Sequence, residues 1–125
     1  MENLKPGLSS LSITAVSPQN TAAAMGSGDM EVFATPAMAA LMENAAMNAV
    51  APFLPDGAAT VGSRLEISHT RPSGVGERIE ARATLIKIEG RRLEFEVSAR
   101  DSRGEVGSGV HVRYIVDRAR FLSKL

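Results

Sequence analysis

Glu43 is the one charged side chain in the run Pro36 to Ala51, P-A-M-A-A-L-M-E-N-A-A-M-N-A-V-A, where Asn44 and Asn48 are the only other polar groups. A lone carboxylate among apolar neighbours costs free energy unless it is paired, hydrogen-bonded or functional. General acid–base and nucleophilic chemistry both use such a group. His69 is the second candidate. Thr60 to Thr70 alternates, with Val61, Leu65, Ile67 and His69 on one face, so His69 is in phase with the apolar side. An inward histidine is either a hydrogen-bonded core residue or an acid–base group, and the pattern leaves both open. Thr35, just before Pro36, reads locally as a helix N-cap, and a capping hydroxyl can also be a nucleophile. The other histidine, His111, alternates out of phase with the valines around it and is expected to be exposed. Arg113 shares that phase and reads equally as half of an ion pair or as a phosphate contact.

The elements that must position these groups follow from propensity and punctuation. Thr35-Pro36 opens a helix of Ala, Met and Leu, and Pro52 closes it. A helix apolar on nearly every side is a buried one. Met38, Met42 and Met47 are packing residues, while Asn44 and Asn48 reach solvent or a dimer seam. Before the helix, Leu8 to Val16 is a first strand of imperfect apolar phase. Gln19 to Met30 is a small, Gly-containing loop that reads as a lid or a plain connector. After the helix come the turn Leu54 to Gly57 and four strands. Thr60 to Thr70 is the first. Glu77 to Glu89 turns Ile79, Ala81, Ala83 and Leu85 to one face, then shifts phase at Ile86, which suggests a bulge. A Gly90-Arg91 hairpin leads to Arg92 to Arg100, with Leu93, Phe95, Val97 and Ala99 inward. Glu105 to Val116 is expected to place Val106, Val110, Val112, Tyr114 and Val116 on one face. Its Gly107 and Gly109 suggest close approach by a ligand or a neighbour. One strand, one buried helix and four strands form an α+β plan, a single domain over 1–125 with an antiparallel sheet wrapped around the helix. The helix's apolar girth calls for more cover than that sheet supplies, and a second subunit would provide it.

Composition removes several function classes. Fourteen basic and fourteen acidic residues cancel, so nothing favours a nucleic-acid partner. No cysteine is present, which excludes disulfides and thiolate chemistry, and two histidines make a histidine metal cage improbable. The central run is too short and too polar to span a membrane. Met1 to Pro6 has neither a basic nor an apolar leader segment, so a cytoplasmic location is expected.

Four blocks in order carry a resemblance: V-F-A-T-P-A-M-A-A-L-M-E-N-A-A, V-G-S-R-L-E-I-S-H-T, I-E-G-R-R-L-E-F-E-V-S-A-R-D and G-S-G-V-H-V-R. Together, over about Glu31 to Phe121, they resemble the hotdog-fold thioesterases of the fluoroacetyl-CoA thioesterase type. The resemblance implies a hotdog domain, a homodimer or tetramer, and hydrolysis of an acyl-CoA thioester with no metal and no cofactor beyond the substrate's own coenzyme A. It implies a catalytic set of Thr35, Glu43 and His69, with the Gly62 amide holding the thioester oxygen and Arg113 completing the substrate site. The fluoroacetyl-selective members carry aromatic residues just before the helix. Here that segment is Gly26-Ser-Gly-Asp-Met30, so another short or medium acyl group is expected.

The chemistry stays open at one point. Glu43 can act as a general base on water or as a nucleophile; alternatively Thr35 takes the acyl group with His69 as its base. Glu43 and His69 are the favoured essential pair. Eight residues separate Thr35 from Glu43, about 12 Å of rise in a straight helix. Either the chain bends after Thr35 or one site draws on two subunits. Two other readings compete: an acyl-CoA or acyl-carrier binding module without turnover, and a hotdog hydratase. The hydratase would need an Asp partner, and Thr35 to Pro55 has none.

Overall fold

The computed structural model describes residues 1–125. The chain runs β1 (Ser9–Ala15), α1 (Ala22–Met25), α2 (Thr35–Val50), β2 (Ala58–His69), β3 (Arg78–Glu89), β4 (Arg92–Asp101), β5 (Gly104–Asp117) and α3 (Arg118–Ser123). The five strands form one antiparallel sheet in the order β1-β3-β4-β5-β2. The sheet curls around α2, the arrangement the resemblance implies. No helix is long and apolar enough to cross a membrane.

The core forms where two patterns meet. Ile79, Ala81, Ala83 and Leu85 of β3 and Leu93, Phe95, Val97 and Ala99 of β4 are buried, as their alternation predicts. The bulge expected at Ile86 interrupts the β3–β4 register between Leu85 and Lys87. Met38, Met42, Ala45, Ala46, Ala49 and Val50 of α2 face this surface and are buried. The small alanines let the helix lie close to the sheet, and each large side chain removed from water contributes about 1.5–3 kcal/mol. The helix packs chiefly on β3 and β1. It covers the β2–β5 end less, and a stripe of Ala40, Asn44 and Met47 remains exposed in the single chain. β1 owes its imperfect apolar phase to Ser12, whose hydroxyl donates to Asn44 Oδ1 on α2 at 2.6 Å. Asn48 Nδ2 donates to the same oxygen, and both asparagines are exposed to solvent in the single chain.

Several expectations need correction. The segment Gln19 to Met30 is no plain loop: a 3₁₀ turn at Pro18–Asn20 leads into α1, and Thr21 bridges to Phe33. In β2, an extra residue at Ser63 shifts the register between Gly62 and Arg64. Leu65, Ile67 and His69 keep the predicted face, but Thr60 and Gly62 join it in place of Val61. In β5, the β4 pairing passes from Ala99–Gly107 to Arg100–Glu105, leaving Val106 as the extra residue. A one-residue slip exchanges the faces of everything beyond it. His111 therefore lies opposite Phe95, and Arg113 opposite Leu93, on the inner face. Tyr114 points outward and is 39% exposed, while His111 is fully buried. The close approach expected at Gly107 and Gly109 is by neighbours within the fold: Met38 and the Ser68 carbonyl at Gly107, the Glu66 carbonyl and Ile67 at Gly109.

Candidate active site

The candidate groups separate into two clusters along α2. The first sits at its N-terminus. Thr35 is the first helical residue and Ala34 the N-cap, with no side-chain cap. The expected capping role is thus overturned: the Thr35 hydroxyl is committed to His69 Nδ1 at 2.8 Å. Phe33 stands edge-on to the His69 ring, with centroids 6.4 Å apart. His69 Nε2 is buried and has no hydrogen-bond partner. Burial lowers the His69 pKa, opposed in part by the backbone of Arg71, which favours the neutral ring. A cleft of about 260 Å³ opens beside this pair, walled by Ala22, Ser27, Phe33 and Arg71.

A clasp that the sequence reading missed anchors the chain just after His69. Arg71 donates to Asp101 Oδ1 and to the Gly104 and Glu105 carbonyls, while the Ser73 hydroxyl donates to Asp101 Oδ2 at 2.7 Å. Burial of Asp101 works against its charge. The bonds from Ser73, the Arg103 amide and Arg71 outweigh that and hold its pKa low. An Asp-Ser-Arg-Gly turn reads as solvated surface from sequence; only its partners, about thirty residues away, make it a buried anchor.

The second cluster surrounds Glu43, two turns along the helix. Its carboxylate is not enclosed: the side chain is 42% exposed. It lies against the backbone at Gly62, where an added Cβ would stand 2.7 Å from Oε2. Arg113 is buried, contrary to the exposed phase expected of it. Its Nε donates to Thr60 Oγ1 at 2.8 Å and its Nη2 to the Thr60 carbonyl at 2.9 Å. A cleft of about 440 Å³ is lined by Glu43, Gly62, Thr60, Arg113, Ala40 and Met47. α2 is unbroken from Thr35 to Val50, so no bend brings Thr35 to Glu43 within one chain. No group of three His, Cys, Asp or Glu side chains is placed to hold a metal ion.

Comparison with known proteins now has a geometry to meet. Residues 16–119 match the fluoroacetyl-CoA-specific thioesterase family. The chain belongs to that family. The fluoroacetyl-CoA thioesterase of Streptantibioticus cattleyicolor is a family relative 40% identical over 95 residues, which is 76% of this chain and 68% of that protein. A solved structure of a fluoroacetyl-CoA thioesterase superimposes with a TM-score of 0.90 at 33% identity, covering 98% of this chain and 95% of the other. A hot-dog-like protein from Thermanaerovibrio acidaminovorans, 24% identical, shares the fold with a TM-score of 0.89 over 98% of this chain and 91% of its own. The family fold is therefore the hotdog that the four sequence blocks imply.

Proposed function

We propose that this thioester hydrolase is a cytoplasmic homodimer that cleaves a short- or medium-chain acyl-CoA to the free acid and coenzyme A, using Thr35, Glu43 and His69. The observation that carries the reading is the Thr35–His69 pair. A hydroxyl is held 2.8 Å from a neutral imidazole at a helix N-terminus, and the ring's other nitrogen is buried without a partner. Thioester hydrolysis develops negative charge on the carbonyl oxygen, so it needs donors fixed where that charge appears. The first-turn amides of α2 and the Gly62 amide supply such donors. Glu43 activates water or attacks the carbonyl itself, and His69 manages the proton.

The separation of the two clusters supports a site shared between subunits. Within one chain Thr35 and Glu43 are about 12 Å apart along α2, too far for one carbonyl to touch both. The exposed stripe of Ala40, Asn44 and Met47 is the surface on which two such helices would meet. Acyl choice falls to the segment before α2. Ala22 and Ser27 line the Thr35 cleft, and Met25 lines the apolar groove beside Ala37 and Leu41. None of residues 26–30 is aromatic, which argues against fluoroacetyl selectivity.

A thiol-release assay over a panel of acyl-CoA chain lengths tests this reading. Turnover of short or medium chains is expected, with Glu43→Gln and His69→Ala each losing most of it while staying folded. Saturable acyl-CoA binding without thiol release would replace the enzyme with a binding module. Undiminished rates in either variant would remove that residue from the catalytic set.

A further inference from the structure

The mechanism above leaves one buried titratable group unused. His111 is fully buried on the inner face of β5, between the ring of Phe95 and the Glu43 cluster. Its Nδ1 lies 2.7 Å from the Arg64 carbonyl oxygen. A carbonyl only accepts, so Nδ1 carries the hydrogen. Its Nε2 lies 3.2 Å from Arg113 Nη1, and a guanidinium only donates, so Nε2 accepts. Both ring nitrogens are therefore occupied and the imidazole is the neutral Nδ1–H tautomer.

This bond completes the fixing of Arg113, whose other bonds go to Thr60 Oγ1 and the Thr60 carbonyl. None of the three goes to Glu43. No ion pair joins Arg113 to Glu43, although the two are close enough to influence each other electrostatically. The nearest charged-type contact of Glu43 is His111 Nε2 itself, at 3.9 Å, beyond hydrogen-bond reach. The carboxylate thus has a cation nearby but is not tied to it.

We infer that His111 is a positioning residue for the Glu43 site: by accepting from Arg113 it holds the guanidinium off Glu43 and leaves the carboxylate free to act on the thioester. Without that acceptor, the Arg113 Nη1 donor would be buried with no partner, and the Glu43 carboxylate is the one acidic group close enough to act on Arg113 electrostatically. A direct Arg113–Glu43 pair would occupy the oxygens that must meet water or the carbonyl. Acid does the same by another route. A proton on Nε2 expels the Arg113 bond, sets two cations side by side and aims a donor at Glu43 Oε2. The charged groups that face His111 are Glu43 from α2 and Arg113 from its own strand; β2 contributes the Arg64 carbonyl and β4 the uncharged Phe95 ring. Burial and Arg113 keep the ring neutral, against the opposing pull of the Arg64 carbonyl and Glu43.

The inference rests on Glu43 as the acting carboxylate, and the tests separate the two. The protein has two histidines, so side-chain nitrogen NMR of the unmodified chain reports each directly. The expected spectrum shows His111 neutral at pH 7 with hydrogen on Nδ1. Hydrogen on Nε2, or a cationic ring, overturns the inference whatever the activity of Glu43→Gln. In kinetics, His111→Phe keeps the ring packing and removes both nitrogens. Its kcat is expected to fall about 10- to 100-fold, as for groups that orient a functional side chain, with KM little changed. His111→Gln offers Arg113 a carbonyl acceptor and is expected to recover most of kcat. Its acid limb should lose the contribution of one proton. A folded His111→Phe with wild-type kcat overturns the proposal. So does a His111→Gln limb as steep as that of the unmodified protein, even if His111→Phe does not fold. Failure of the Glu43 reading instead appears as full turnover in Glu43→Gln.

Discussion

Thr35 Oγ1 is held by His69 Nδ1 at 2.8 Å, and the helix that begins at Thr35 has no side-chain cap. The N-cap position falls on Ala34, which has no side-chain acceptor, while the Thr35 hydroxyl inside the first turn is turned to the imidazole at the end of β2. An Ala at the N-cap costs about 1 kcal/mol relative to a capping residue. Pro36 has no amide hydrogen, and the Ala34 and Met38 amides bond the Asn20 and Ala34 carbonyls, so the amides of the first turn without such a partner are those of Thr35 and Ala37. Removing the hydroxyl should then affect turnover and stability very differently. Thr35→Ala is expected to keep its chemical-denaturation midpoint within about 0.5 kcal/mol of the parent while thiol release falls steeply. A drop in stability of about 1 kcal/mol, the loss expected of a true cap, would show that the hydroxyl serves the helix after all.

Acid should weaken the fold through both histidines. His69 and His111 have pKa values lowered from 6.5, in each case chiefly by burial. Below that value the unfolded chain binds more protons than the native one, so stability rises with pH there. The stabilisation is present above pH 6.5 and is lost as pH falls through the lowered native values. Urea midpoints between pH 7.5 and pH 5 are expected to decline, and the decline should flatten in His111→Gln. A midpoint independent of pH over that range would contradict the burial of both rings.

Two glycines on paired strands should respond in opposite ways to alanine. At Gly62 the new methyl meets Glu43 Oε2 at 2.7 Å and His111 Cε1 at 3.2 Å. The half-exposed Glu43 side chain can swing away, so the fold survives with the carboxylate displaced, and a displacement of about 1 Å can cost about 100-fold in rate. At Gly109 the methyl meets the Glu66 carbonyl and the backbone of Ile67. Backbone cannot swing aside, so Gly109→Ala should lose about 1–3 kcal/mol by overpacking. Thermal melts and thiol-release rates on the two variants distinguish these outcomes. An active Gly62→Ala protein would detach Gly62 from the site, and a fully stable Gly109→Ala protein would contradict the β2–β5 pairing.

How far the sequence could be read depended on whether a signal was local. β3 and β4 alternate cleanly because one face is buried throughout, and the Ile86 bulge was legible as a break in that alternation. β5 misled because its bulge at Val106 is fixed by pairing with β4, which no count along β5 reveals. Once the phase is reversed, the inner face carries Gly107, Gly109, His111 and Arg113. These polar and small residues mark the part of the sheet that α2 covers least. Thr35 misled because a residue that can cap a helix looks the same whether it caps or not. The Arg71–Ser73–Asp101 clasp left no local trace at all. The residues Thr35, Glu43, His69, Gly62 and Arg113 came from the four blocks; the grouping of Thr35 with His69 and of Glu43 with Gly62 and Arg113 came only with the tertiary structure.

That grouping sets the decisive measurement. α2 is continuous from Thr35 to Val50, so a bend can no longer reconcile Thr35 with Glu43 in one chain. His69 Nε2 is buried without a protein partner at one cluster, and the half-exposed Glu43 carboxylate stands free at the other. The proposed shared site requires a two-fold dimer in which the first cluster of each chain meets the second cluster of its partner. Inactive Thr35→Ala and Glu43→Gln proteins are mixed under subunit exchange, and native mass spectrometry confirms the heterodimer. If the two groups of a site lie on different chains, one site in the heterodimer carries both lesions and the other carries none. Activity should then return to about half per dimer, since the intact site works alone. If they lie on the same chain, each site keeps one lesion and the mixture stays inactive. Persistent inactivity in a confirmed heterodimer would end the shared-site reading. Thr35–His69 and Glu43 would then have to act at separate places, and at most one of those places could be where the thioester is cleaved.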